Sequence, residues 1–199
     1  MIALQALVPR FASAADPALA QGRERPPVLD HEHQAGVSVM PGIGYRVIVP
    51  YKENKTCGDS SGDDTKRVCT NNVPFFMDFQ VAFGVSRRLD LISDIRLGIA
   101  KEDVKGVGRE FAIAPGIRVW LDQDVALKFF TTFQALFDTT AQNQPGISDS
   151  DYGIRNSNGL MYDPIRNVGF YFQFGESIGL KRWFRIELDL GLGVQVRFP

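Results

Sequence analysis

The sequence predicts an all-β chain closed into an antiparallel up-and-down transmembrane β-barrel of about eight strands. Three observations carry this expectation. Apolar and polar residues alternate with period two over most of residues 37–198, and the polar face is crowded with glycine and charge. No run of about 18 apolar residues exists, which excludes a membrane-crossing helix and leaves the short, half-polar strands of a barrel. The segment Phe75 to Ser86 displays the pattern most clearly. Phe75, Met77, Phe79, Val81, Phe83 and Val85 point one way, and Asp78, Gln80, Ala82, Gly84 and Ser86 the other.

The first strand puts Val37, Val39, Ile43, Tyr45, Val47 and Val49 opposite Ser38, Gly42, Gly44 and Arg46. After a loop bracketed by Cys57 and Cys69, the Phe75 segment forms the second strand and ends in the tight connection Arg87-Arg88. The third carries Leu89, Leu91, Ile95, Leu97 and Ile99 against Asp90, Asp94, Arg96 and Gly98. A polar connection, Lys101 to Gly108, leads to the fourth, where Phe111, Ile113, Ile117, Val119 and Leu121 oppose Glu110, Ala112, Ala114, Gly116 and Arg118. Pro115 lacks an N–H and predicts a bulge or a weakly paired point there. After the turn Asp122-Gln123-Asp124, the fifth strand sets Val125, Leu127, Phe129, Phe133 and Phe137 against Lys128, Thr132, Gln134 and Asp138.

A long polar loop is expected from Thr139 to about Arg155. Beyond it, Val168, Phe170, Phe172, Phe174 and Ile178 oppose Gly169, Tyr171, Gln173, Gly175 and Gly179, and a final strand alternates from Phe184 to Phe198. These strong segments are odd in number, whereas single-chain bacterial barrels have an even count. Asn158 to Tyr162, followed by a proline turn at Pro164, supplies the missing strand. The connections then sort into long loops at one end and tight turns at the other.

Alternation does not say which face is inside. A soluble lipocalin-like carrier turns its apolar face inward around a ligand; a membrane barrel does the reverse. Gly42, Gly44, Gly84, Gly98, Gly116, Gly169, Gly191 and Gly193 on the polar face suit a narrow lumen, and lysines are too few for a solvated sheet. The apolar face is therefore expected to meet lipid. Glu176 is the clearest violation, expected in the headgroup zone or after a bulge. Trp183 and Phe184 at one rim and Tyr162 at the other are expected in interfacial belts.

The ending Gly193-Val194-Gln195-Val196-Arg197-Phe198 resembles the C-terminal assembly signal of bacterial outer-membrane proteins, with Gly193, Val196 and Phe198 at its marked positions, although Pro199 follows the aromatic residue. The region from Val37 to Phe198 resembles the small bacterial outer-membrane barrels of the OmpA/OmpX type, with no closer family. The resemblance implies residence in the outer membrane, termini in the periplasm, contact with outer-membrane lipid and lipopolysaccharide, and insertion by the outer-membrane assembly machinery. Ala18-Leu19-Ala20 before Gln21 looks like a signal-peptidase site, while Pro9, Arg10 and Asp16 interrupt the apolar stretch before it. Residues 1–36 are accordingly expected to be an export-signal remnant or a periplasmic linker ahead of a barrel domain at 37–199.

The chain of 199 residues carries a net charge of -1, without the basic excess of a nucleic-acid binder, and no nucleic-acid partner is expected. Inward positions hold Arg46, Arg96, Arg118, Lys128, Arg185 and Arg197 against Asp78, Asp90, Asp94, Glu110, Glu187 and Asp189, balanced signs that predict paired charges plugging the lumen. A narrow ion or small-solute channel is the alternative. Cys57 and Cys69 close one loop and read as a disulfide in an oxidising compartment. Histidine occurs only at His31 and His33, before the first strand, so no catalytic residue is assigned and no enzyme is expected. His31-Glu32-His33 reads as an incidental cluster. Asp59, Asp63, Asp64, Asp149 and Asp151 read as solvated loop acids, so no metal and no cofactor is expected. The expected role is structural or adhesive, with an unidentified partner at the surface loops.

Overall fold

The computed structural model describes residues 31–49, 51, 68–100, 108–121, 125–141 and 148–199. Eight strands follow in chain order: β1 Ala35–Val49, β2 Cys69–Ser86, β3 Leu89–Gly98, β4 Phe111–Trp120, β5 Leu127–Asp138, β6 Asp151–Ile165, β7 Val168–Gly179 and β8 Phe184–Phe198. Each pairs antiparallel with its chain neighbours, and β8 returns to β1 from Ala35↔Phe198 to Val49↔Phe184, closing the barrel. Closure leaves no strand with a free edge, the condition that a hydrocarbon surrounding imposes.

The faces divide as a membrane barrel requires. The apolar partners of the alternation point outward, Leu192 with 66% of its surface exposed and Phe79, Phe129, Phe133 and Phe170 about half. Charged partners point inward, Arg118 and Lys128 with 0% exposed. This is the reverse of a lipocalin-like carrier, whose apolar face would line the interior.

Three expectations need correction, and that for Pro115 is narrowed to one of its two forms. β6 begins at Asp151, so the loop expected through Arg155 is shorter, and Arg155 and Ser157 face the lumen. Asn156 and Asn158 occupy outward positions there, and those polar residues hide the strand from an alternation test. Pro115 makes no bulge, being in register with Ser93, but it is the expected weakly paired point: β4–β5 pairing passes over Ala114 and Pro115, where Gln134 Nε2 donates to the Ala114 carbonyl at 2.8 Å. Register shifts lie elsewhere, one of them beside Pro74, where β1–β2 pairing moves from Gly42↔Phe76 to Gly44↔Val73. Glu176 follows no bulge: β7 runs in unbroken register past it, against Asn156 on one side and Leu188 on the other. Trp183 belongs to no belt, because it is buried against Ile48 and Cys69.

Glycine on the inner wall makes room for large side chains. A Cβ at Gly193 would collide with the Tyr171 ring, and one at Gly42 with the Phe76 ring. These recesses seat an apolar cluster of Met40, Val73, Phe76, Trp120, Phe130, Met161 and Tyr171 inside the barrel. Trp120, Phe130 and Tyr171 stack edge to face, with centroids 5.5 and 6.2 Å apart. Replacing Gly42 by Val should overpack this cluster and cost about 1–3 kcal/mol. Gly36→Ala should be nearly neutral, since its Cβ meets only the movable end of Gln195 at 3.1 Å. Urea unfolding followed by heat-modifiable gel mobility should separate the two; equal midpoints would refute the account.

Candidate functional site

Twelve charged residues expected in the lumen are all buried there. Period-two geometry places them: on each strand the alternate side chain points inward, and antiparallel register brings acids and bases of neighbouring strands side by side, as in Asp78↔Arg96 and Asp90↔Arg118. Arg96 is the hub. Its Nε and Nη2 donate to the two oxygens of Asp78 at 2.8 and 2.9 Å, its Nη1 to Glu187 at 2.8 Å, and its Nη2 also to Asp189 at 2.9 Å. Its guanidinium lies 3.7 Å from the centre of the Phe76 ring. Glu187 also accepts from Arg46 Nε at 3.1 Å, and Glu110 sits 3.9 Å from Arg96 Nη1.

Arg155, which the expected loop concealed, completes the hub. It donates to Asp78 at 3.0 Å, to Asp189 at 3.3 Å and to Asp94 at 3.4 Å. Asp94 is held further by Gln80 and Gln134 at 2.6 and 2.8 Å, and Gln80 accepts from Arg118. Most of these contacts cross the lumen rather than follow one hairpin. A charge removed from water is tolerated only when such partners surround it.

Towards the end that bears the long connections, Asp138 accepts from Arg185 at 2.7 Å and faces Arg182 at 3.6 Å. Arg182 also donates to the carbonyls of Ser148, Asp149 and Thr140. Asp151, expected as a solvated loop acid, turns inward and accepts the backbone N–H groups of Lys181 and Arg182 at 2.7 and 3.1 Å. Asp149 is exposed, while Asp59, Asp63, Asp64 and Cys57 lie outside the described residues.

The end with tight turns is closed by His31, a residue expected to be incidental. Residues 31–34 fold across the mouth: His33 N donates to the Gly84 carbonyl, Gly84 N to Gln34, and Gln34 N to His31. His33 itself is exposed and takes a left-handed φ of 59° to complete the turn. Gly84 is required here, because a Cβ would occupy the position of the His31 carbonyl oxygen. The His31 ring stands edge-on to Trp120, centroids 4.5 Å apart, and its Nε2 lies 2.9 Å from Asp163 Oδ2. Lys128 and Arg197 donate to the same carboxylate at 2.7 Å each, and Trp120 Nε1 donates to Asp90 at 2.9 Å. Asp163 was readable only as a turn residue, and nothing in the sequence around His31 marks it as its partner.

Burial lowers the His31 imidazole to about 4, although its hydrogen bond to Asp163 pulls the other way. The folded state therefore holds it neutral. Its contribution to docking is fully present above about 6.5, where the free ring is neutral too, and is lost as pH falls through about 4. Acidification should release the turn and change Trp120 emission, and His31→Phe should abolish that change; a pH-independent wild-type signal would contradict it. Arg96→Met should leave several buried carboxylates uncompensated and cost about 3–5 kcal/mol in urea unfolding. A loss below about 1 kcal/mol would show that the hub is not structural.

No family model and no curated protein sequence matches the chain. Solved structures do resemble it. The N-terminal β-barrel domain of Pseudomonas aeruginosa OprF aligns with TM-score 0.55 at 11% identity, covering 84% of this chain and 98% of that one. Neisserial surface protein A aligns with TM-score 0.56 at 11% identity, covering 82% and 99%. The outer membrane protein OprG of Pseudomonas aeruginosa aligns with TM-score 0.52 at 10% identity, covering 85% and 99%. The chain has the fold of the small eight-stranded outer-membrane β-barrels.

Proposed function

We propose that the chain is an integral outer-membrane barrel whose lumen is a structural plug and whose surface loops make its contacts, a structural or adhesive role rather than an enzymatic one. What supports this reading is the burial of the inward side chains. The ion-pair hub around Arg96, the aromatic cluster around Phe130, and the His31 and Arg182 closures occupy the interior from one end to the other. An eight-stranded barrel is just wide enough for such side chains, and a conducting path would need both a cleared lumen and a biased ring of charge. The outward aromatic and aliphatic wall supports contact with lipid, and the neighbouring fold supports an outer-membrane setting.

In this reading the termini face the periplasm and the connections β1–β2, β3–β4 and β5–β6 face outward, where lipopolysaccharide and a surface partner would meet them. Gly193, Val196 and Phe198 would serve recognition by the assembly machinery. A disulfide from Cys69, buried beside Trp183 and Ile48, to Cys57 would anchor the first of these loops. Purified protein in planar bilayers should give no single-channel conductance and should require detergent for extraction. Discrete conductance steps would favour the narrow channel, and recovery in the soluble fraction would overturn the membrane reading.

A further inference from the structure

The outer wall carries one polar interruption that the plugged-barrel reading leaves unused. Among the described strand residues Glu176 is the single outward-facing charge, and it is exposed. Register places it beside Asn156, and places Asn158 beside Thr131. All four point outward on three adjacent strands. Asn156 Nδ2 donates to the Thr132 carbonyl at 2.8 Å, and Asn158 Nδ2 to Asn156 Oδ1 at 3.0 Å, but Glu176 has no hydrogen-bond or ion-pair partner among the described residues. The patch is not at a rim. Tyr152, Ile154 and Ile178 continue the apolar wall towards the long loops, and Leu160, Phe172 and Phe174 continue it towards the tight turns.

We infer that this patch is the contact surface between two copies of the chain. A carboxylate facing hydrocarbon is costly, and so are amides with unused donors. The patch holds both halves of the remedy: Glu176 can only accept, while Asn158 retains a donor. A two-fold axis along the membrane normal sets Glu176 of each copy against the amides of the other, so one surface satisfies itself twice. Phe133, Phe174 and Leu188, exposed around the patch, would pack about the polar centre and exclude lipid from it. The inference rests on the lipid-facing reading of the outer wall.

Cysteine reporters test it in lipid vesicles, with oxidative cross-linking read on gels. Ile154→Cys, on the same wall as the patch, should give a cross-linked dimer, whereas Val81→Cys on the far wall should not. Adding Glu176→Leu to the Ile154→Cys chain should lower the yield roughly fivefold or more, and Glu176→Gln, which keeps a hydrogen-bonding group, should preserve it. Heat-modifiable mobility is read on every variant. A folded barrel with equal yields at both reporter positions, or with a yield indifferent to Glu176→Leu, overturns the inference and assigns the patch to lipid or another protein. Absence of a heat-modifiable form in the wild type would instead sink the barrel reading, and this inference with it.

Discussion

The hydrogen-bonded seam between β8 and β1 is the constraint on which the rest of the structure depends. Without it two strand edges would present unpaired N–H and C=O groups, which lipid cannot satisfy. Closing the sheet at eight strands then sets the width of the interior. It leaves room for side chains and little else, so each inward position must be filled by something that fits. Glycine and bulk alternate accordingly, with Gly193 under Tyr171 and Gly42 under Phe76. The same lack of space decides the electrostatics. Charges that cannot reach water must reach one another, and Arg96 and Arg155 do so by bridging acids from β2, β3 and β8 at once.

In the proposed reading, a plug of this kind shifts function away from the lumen. The interactions that fill it are also those that tie distant strands together: Arg96 joins β3 to β2 and β8, and Lys128 with Arg197 joins β5 to β6 and β8. Clearing a path would break the contacts that hold the barrel's cross-section. Adhesive or structural work at the loops asks nothing of the interior except rigidity, which ion pairs bridging distant strands supply.

Two features depart from the repeating design, and each has a physical cause. At the tight-turn end the chain before β1 folds back so that His31 covers Trp120, which the missing Cβ of Gly84 permits. On the outer wall Asn156, Asn158 and Glu176 interrupt a surface that is otherwise apolar around them. The first buries a titratable group against Asp163 and Lys128, and burial holds its ring neutral. In the lipid-facing reading of the outer wall, the second meets hydrocarbon, and the inferred second copy supplies its polar groups with partners.

Period-two alternation determined, from the sequence alone, the positions of most strands and the set of charges that share one face, because a pleated strand sends neighbouring residues to opposite faces; the remaining strand followed from the even count of such barrels, and the inward direction from the glycine-rich composition of the polar face. It failed where a residue contradicted its face. Asn156 and Asn158 hide the first half of β6 and with it Arg155, and Trp183, which its place at a rim suggests as a belt residue, packs against Ile48. The pairings were beyond its reach. Alternation says which way a side chain points, but not what stands opposite across a closed lumen, and His31 meets Asp163 across 132 residues of chain. Only the closed tertiary structure decides those contacts, since barrel width, tilt and register together determine which distant strands face each other.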